Sequence, residues 1–127
     1  CQKENIAFVE LSTKEEQYNN MKYDEMIEHV LLEYPDTDGM FLSSDVMAAQ
    51  ALQVCRKLHI SVPDQMKIIG FDDVNIASLT TPQLTTIHQP IKEMAEITLN
   101  LLQDSASGKL VAKRTILPVC LIERETT

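Results

Sequence analysis

Two adjacent acids, Asp72 and Asp73, directly follow the apolar run "MKIIGF" (66–71), and such a pair could serve several kinds of chemistry. The carboxylates could catalyse, hold a metal, cap a helix or bind a ligand. Neighbouring side chains on an extended chain point to opposite sides, so the two acids are not placed to share one catalytic site. We therefore predict divided roles, in which one acid faces a ligand and the other holds the loop. A structural role for both acids is the alternative.

The other polar candidates give weaker signals for catalysis or metal binding. Ser44 and Asp45 lack the Gly-x-Ser-x-Gly pattern of a hydrolase nucleophile, and short side-chain oxygens before an apolar run are typical of a helix cap. His88 precedes Gln89 and Pro90, with no second histidine or carboxylate at metal-ligand spacing. The chain has three glycines and no glycine-rich phosphate loop. We expect no catalytic residue, no metal and no cofactor.

Length and charge narrow the class of protein. The 127 residues suffice for one domain with a core, and 44% apolar and 24% charged residues are typical of a soluble globular protein. No apolar run approaches the roughly 18 residues of a membrane helix, and no signal peptide pattern is present. A net charge of −8 disfavours direct binding to nucleic-acid phosphates. A first residue that is cysteine instead of methionine suggests a processed or excised piece.

The cysteines at positions 1, 55 and 120 do not form a zinc or redox motif, because no pair has Cys-x-x-Cys spacing. Cys55 lies in an apolar helical pattern and Cys120 in an apolar strand-like run. We expect both to be buried, reduced thiols, which suits a cytoplasmic protein.

Apolar periodicity predicts alternating strands and helices. Short apolar runs predict strands at 6–11, 40–43, 66–71 and 84–87, with two more within 114–123 on either side of Pro118. Apolar residues three and four apart predict helices at 21–34, at 44–58 and from a start near Pro90. The second helix has so narrow a polar stripe that it should be covered on nearly all sides, whereas 72–83 shows no regular pattern. This alternation predicts an α/β fold with an open, mostly parallel sheet and flanking helices.

Polar, mostly short side chains follow each of the first four predicted strands. In open α/β sheets, ligands bind beyond the carboxyl ends of the strands. The acids after 66–71 therefore stand where a ligand would bind. The residues at these strand ends are Ser12 and Thr13, Ser43 to Asp45, Asp72 and Asp73, and His88 and Gln89.

Four separated motifs resemble, in order and spacing, the C-terminal part of the core of the LacI/GalR family of bacterial transcription repressors. They are "DGMFLSSDVMAAQAL", "ISVPDQMKIIGFDD", "TPQLTTIHQP" and "LPVCLIERETT", and the resemblance covers nearly the whole chain. It implies a periplasmic-binding-protein-like core of two subdomains with a small effector, usually a sugar, between them. It further implies that 1–87 is part of the C-terminal effector-binding subdomain. Residues 88–112 would be a crossover helix segment associated with the N-terminal subdomain, and 113–127 would be the returning C-terminal strands.

The resemblance also implies effector contacts at four positions. Asp72 matches an acid that accepts hydrogens from ligand hydroxyls, as an ionised carboxylate does well. Ser44 stands where sugar-responsive members often have asparagine, and Gln89 matches a residue of the cleft. Ile91 matches a cleft position that is aromatic in some relatives, so it would not provide a stacking surface. Asp45 is expected to cap the second helix.

Family dimers pair their C-terminal subdomains, which implies dimer contacts at Ala49, Ile76 and Leu79. We expect the effector-binding and dimerisation region of a cytoplasmic, sugar-responsive regulator that is not an enzyme and does not bind membranes. Operator DNA would be contacted only through an N-terminal domain outside this sequence. The effector stays open among hexoses, pentoses, disaccharides and purines. The alternative is the solute-binding protein of a sugar transporter.

Overall fold

The computed structural model describes residues 6–12, 20 and 22–127. Two parts of the predictions, the strand-end residue Thr13 and the start of the first helix at Met21, lie outside the described residues. In the part of the chain that is described, no helix is both long and apolar enough to cross a membrane. In chain order, the helices and strands are α1 (Asp24–Glu33), β1 (Gly39–Phe41), α2 (Asp45–Lys57), β2 (Lys67–Asp72), α3 (Ile76–Leu79), β3 (Thr85–His88), α4 (Ile91–Ala106) and β4 (Cys120–Ile122).

The four strands form one sheet in the order β1-β2-β3-β4. The strands β1, β2 and β3 run parallel, with Ile69 opposite both Phe41 and Thr85. The last strand, β4, runs antiparallel to β3 and places Cys120 opposite His88. The predicted open, mostly parallel sheet with flanking helices is therefore confirmed.

Helix α2 covers one face of this sheet and forms the centre of the core. Eight of its 13 residues are buried, which confirms that it is covered on nearly all sides. Beneath it, Ile68 of β2 is fully buried, and α1 packs on its other side through Ile27 and Leu31. An ion pair of 2.6 Å between Lys57 and Glu28 joins the two helices at the surface.

Two predicted strands are absent from the described residues. The run 6–11 is not a strand and its apolar side chains are exposed, with Ile6 and Phe8 more than half accessible. In 114–123, strand β4 forms only after Pro118, and Ile116 before it is 72% exposed. Both predictions were wrong because apolar composition alone does not make a strand. A strand needs a neighbour that pairs with its backbone hydrogen-bonding groups, and these runs have none among the described residues.

Two further expectations need correction. The loop 72–83 contains the short helix α3, whose four residues are too few for a helical period to show in sequence. Cys120 is exposed because β4 is the outer strand of the described sheet, whereas Cys55 is buried as expected. Burial raises the pKa of the Cys55 thiol, which keeps it protonated and unreactive.

Gly70 of β2 leaves the space in which the side chain of Asp45 lies. A Cβ atom at this position would overlap Asp45 Oδ1 and would lie 2.9 Å from Leu84 Cδ2. Both neighbours are completely buried, so neither side chain can move away easily. The close approach of α2 to the sheet at this point therefore requires a residue without a side chain.

We expect Gly70→Ala to lower the free energy of unfolding by about 1–3 kcal/mol, because it overpacks a closed core. The measurement is urea unfolding followed by circular dichroism. Gly39→Ala is the matched control, since the nearest atom to its new Cβ would be the Lys67 carbonyl oxygen at 3.8 Å. Equal losses of stability in the two variants would contradict the close-approach argument.

Candidate functional site

The chain leaves β2 through a left-handed turn at the two adjacent acids. Asp72 has a φ of 109° and Asp73 a φ of 56°, a region in which aspartate and asparagine are better tolerated than most residues. Residues held in such conformations cost about 1–3 kcal/mol each and persist only when surrounding contacts hold them. The turn also corrects the sequence argument, which assumed an extended backbone. Asp72 and Asp73 both line one cleft.

This cleft opens at the carboxyl ends of β2 and β3 and has a volume of about 440 Å³, within the range of small-molecule sites. Three of the four predicted effector contacts, Asp72, Gln89 and Ile91, line it together, whereas Ser44 does not. Ile91 is 56% exposed and offers an aliphatic surface. The other lining residues are Asp73, His88, Pro90, Lys92, Glu93 and Glu96.

The carboxylate of Asp72 is oriented by the side chain of Gln89. The Gln89 Nε2 amide donates to Asp72 Oδ1 over 2.6 Å, which joins the end of β2 to the residue that follows β3. Within the described residues, no donor bonds the second oxygen, Oδ2. Gln89 thus orients one oxygen of Asp72, a residue that lines the cleft.

The carboxylate of Asp73 is held by two basic side chains. Arg124 Nη2 donates to Asp73 Oδ1 over 2.7 Å, and His88 Nδ1 lies 2.9 Å from Asp73 Oδ2. Arg124 also donates through Nη1 to the Leu84 carbonyl oxygen over 2.8 Å, so it ties the turn to the start of β3. The two acids thus have different partners, and Asp73 makes the loop-holding contacts that the sequence predicted for one of them.

The pKa of Asp73 reflects two opposing effects. Partial burial alone would raise it, but the hydrogen bonds and charges of Arg124 and His88 outweigh burial and hold the pKa below its usual value. Sequence reasoning missed Arg124 because it is 51 residues from Asp73. The available signal was a basic residue two positions after the apolar run that forms β4.

The N-terminus of α2 corrects the expected role of Asp45. The cap is Ser44, whose hydroxyl oxygen accepts from the Met47 N–H over 3.2 Å. Asp45 is the first residue of the helix proper and is fully buried. Its Oδ1 accepts from the Thr86 hydroxyl and its Oδ2 from the Val74 N–H over 2.8 Å. A carboxylate placed one residue inside the helix points back over the sheet, so it bonds other elements instead of its own first turn.

The three predicted dimer contacts differ in how much surface they offer. Leu79 of α3 is 78% exposed and Ile76 is half-buried, whereas Ala49 of α2 is only 8% exposed. Helix α3 therefore presents most of the apolar area available to a partner at these positions.

We expect Asp73→Asn to lower the free energy of unfolding by about 1–3 kcal/mol at neutral pH, because an amide cannot accept from both basic partners. A lowered carboxyl pKa means that the folded state favours the ionised form. Its contribution is complete above the usual carboxyl pKa of about 4 and is lost as pH falls through the lowered folded value.

The measurement is urea unfolding of both proteins from pH 7 down to pH 2.5. The difference between wild type and Asp73→Asn should shrink only below pH 4. The exposed Asp36 provides the control, since Asp36→Asn should stay within about 0.5 kcal/mol of wild type. A difference that is independent of pH would contradict the ionic role of Asp73.

Comparison with known proteins identifies the family. The sequence model of the periplasmic binding protein-like domain matches residues 1–127. The chain is 36% identical over 102 residues to the sucrose operon repressor of Streptococcus mutans and 37% identical over 103 residues to the ribose operon repressor of Halalkalibacterium halodurans. Each match covers 80% of this chain but 32% and 31% of the respective repressors. The chain thus spans about a third of the length of the curated relatives it matches.

Solved structures of transcriptional regulators have the same fold as this chain. The CelR transcriptional regulator in complex with cellobiose superposes with a TM-score of 0.78 at 30% identity, over 82% of this chain and 32% of that one. The lac repressor dimer bound to operator and the anti-inducer ONPF gives a TM-score of 0.78 at 27% identity, over 84% of this chain and 37% of that one. The chain therefore belongs to the periplasmic binding protein-like domain family, and its sequence is similar to those of LacI/GalR-type regulators.

Proposed function

We propose that this chain is the effector-binding and dimerisation region of a LacI-type transcriptional regulator, and that its effector is a sugar. The observation that carries the proposal is the carboxylate of Asp72. Gln89 orients one of its oxygens, and Asp72 lines a cleft of about 440 Å³ at the carboxyl ends of parallel strands. An ionised carboxylate accepts hydroxyl hydrogens strongly, and a sugar presents several hydroxyls.

The names of the relatives support a sugar over a purine. The repressors compared above are those of sucrose and ribose operons, and one superposed regulator was solved with cellobiose. The lining also suits a neutral polyol. It contains four carboxylates and only two basic side chains, Lys92 and His88, and this excess of negative charge disfavours an anionic ligand. Ser44 remains a candidate contact by the family resemblance alone, because its hydroxyl caps α2 and it does not line the described cleft.

Effector binding would act by shifting a population between two arrangements of the core. An effector that contacts both subdomains more favourably in one arrangement shifts the equilibrium by its difference in affinity. This shift would change the distance between the two DNA-binding domains of the dimer. Operator DNA, bound through an N-terminal domain outside this sequence, and a second copy of the chain are the proposed partners.

The division of the chain into segments follows from the same proposal. Residues 1–87 belong to the C-terminal subdomain, 88–112 cross to the N-terminal subdomain, and 113–127 return. Helix α4 supports this division because none of its residues is buried, and Leu99 and Leu102 are 59% and 62% exposed. An amphipathic helix with an uncovered apolar side is expected where the covering subdomain is not part of the structure.

We further propose that the protein works in the cytoplasm, has no enzymatic activity and needs no cofactor. The names of the relatives are those of repressors, which favours a regulator over the solute-binding protein of a transporter.

We expect Asp72→Asn to weaken effector binding by the intact regulator about tenfold to a hundredfold, the loss of a hydrogen bond to a charged acceptor. Folding should be little affected, because asparagine tolerates the positive φ of this position as well as aspartate does. The measurement is calorimetric titration of the intact protein with sucrose, ribose and cellobiose, followed by the variant with whichever sugar binds.

Asp64→Asn, at an exposed acid between α2 and β2, is the control and should bind with wild-type affinity. If Asp72→Asn binds the sugar with unchanged affinity, Asp72 does not contact the effector. Failure of a broader panel of hexoses, pentoses and disaccharides to bind the wild type would remove the sugar assignment itself.

A second expectation concerns the dimer surface on α3. Leu79→Glu should shift the intact protein toward monomer, because it places a charge in an apolar contact. Sedimentation velocity over a range of protein concentrations measures the shift. Leu32→Glu on α1 is the control, since Leu32 is 65% exposed and lies on another helix. Equal sedimentation of the Leu79 variant and the wild type would exclude α3 from the interface.

A further inference from the structure

The fully buried carboxylate of Asp45 bonds two elements other than its own helix. Oδ2 accepts from the N–H of Val74, the first residue after the left-handed turn, and Oδ1 accepts from the hydroxyl of Thr86 in the middle of β3. Val74 and Thr86 lie 29 and 41 residues from Asp45 in sequence. One side chain thus joins α2, the end of β2 and β3.

Packing alone does not explain an acid at this position. Burial of a carboxylate is unfavourable, and within the described residues no basic side chain pairs with Asp45. The N-terminus of α2, where amide N–H groups carry partial positive charge, offsets part of this cost. Gly70 also leaves room for the carboxylate directly over the sheet.

The two residues that Asp45 bonds, Val74 and Thr86, are close in sequence to residues of the candidate effector site. Val74 follows Asp72 and Asp73, whose left-handed conformations persist only under restraint. Thr86 lies two residues before His88 on β3, and Gln89 follows to donate to Asp72. The carboxylate of Asp45 therefore holds the chain two residues after Asp72, at Val74, and three residues before Gln89, at Thr86. These are the two segments that the Asp72–Gln89 hydrogen bond joins.

The same contact sets the start of α3. The Val74 carbonyl oxygen accepts from the Ala77 N–H over 2.9 Å, and Ala77 is fully buried. A shift of Val74 would thus move both the turn that carries Asp72 and the helix that carries Leu79.

We propose that Asp45 is a positioning residue, which holds the Asp72–Gln89 pair and the start of α3 in register through its bonds to Val74 and Thr86. The significance for effector response rests on the proposed function, whereas the positioning itself is a property of this chain. It can be tested without any effector.

The experiment is amide hydrogen exchange of the intact protein, without effector, followed by NMR. The quantity is the exchange rate of the Val74 N–H relative to that of the Ile68 N–H. Ile68 is a fully buried residue of β2 whose N–H bonds the Thr126 carbonyl oxygen, and its exchange reports wider opening. We expect Asp45→Ala to raise this ratio about tenfold or more, because the amide loses a charged acceptor. The side-chain amide of Gln89 should lose protection in the same variant.

Asp45→Asn is the conservative variant and should restore most of the protection. Its Oδ1 can accept from Val74, while its Nδ2 can donate to the Thr86 hydroxyl oxygen. A residue that acts only by its charge at the helix N-terminus would not be rescued in this way. Ile27→Val, in the core on α1, is the control for general destabilisation and should leave the ratio unchanged.

The proposal is overturned if the ratio in Asp45→Ala rises no more than in Ile27→Val, or if Asp45→Asn behaves as Asp45→Ala does. If Asp45→Ala does not fold, Thr86→Val replaces it and Thr86→Ser becomes the rescuing variant. Thr86→Val should then raise the ratio, and an unchanged ratio overturns the proposal. A supporting result combined with no sugar binding by the intact regulator would leave the positioning role standing and reject the proposed function alone.

Discussion

The buried carboxylate of Asp45 is the contact on which the geometry of the cleft depends. It lies between α2 and the sheet, in the space left by Gly70, and bonds the Thr86 hydroxyl and the Val74 amide. A charged group without a basic partner can remain buried only if its oxygens are well satisfied. That requirement couples three elements to each other, because a shift in one of them would leave the carboxylate with an unmade hydrogen bond.

The two acids after β2 show how one short turn can carry two tasks. Asp73 is neutralised by Arg124 and His88 and so restrains the turn, whereas Asp72 shares one oxygen with Gln89 and lines the cleft. If both acids were free, two adjacent negative charges would repel each other and the turn would be poorly defined. If both were paired, the cleft would lack a strong acceptor for a ligand hydroxyl.

In the proposed regulator, the effector site and the dimer surface lie at two ends of one short segment. Three residues, Asp73 to Asn75, separate Asp72 from α3. A shift of this segment would therefore move both Asp72 and α3. A ligand shifts an equilibrium only through contacts that differ between the two states of the protein. A short segment that carries both an effector contact and part of the dimer surface would link such a difference at one site to the other. The uncovered apolar side of α4 is where the other subdomain would complete the cleft.

From the amino-acid sequence alone we predicted the α/β class, the helix α2, the strand β2 and the position of Asp72 at its carboxyl end. These features follow from local periodicity and from the polarity of strand ends, and four motifs pointed to the family. The partners of Asp45, Asp73 and Arg124 became visible only in the three-dimensional fold, because hydrogen bonds between residues 15 to 51 positions apart leave no local pattern. The fold also decided that 6–11 is not a strand, since pairing depends on a neighbour and not on composition. The left-handed turn was decided by the same long-range contacts, which hold two residues in conformations that their own sequence does not favour.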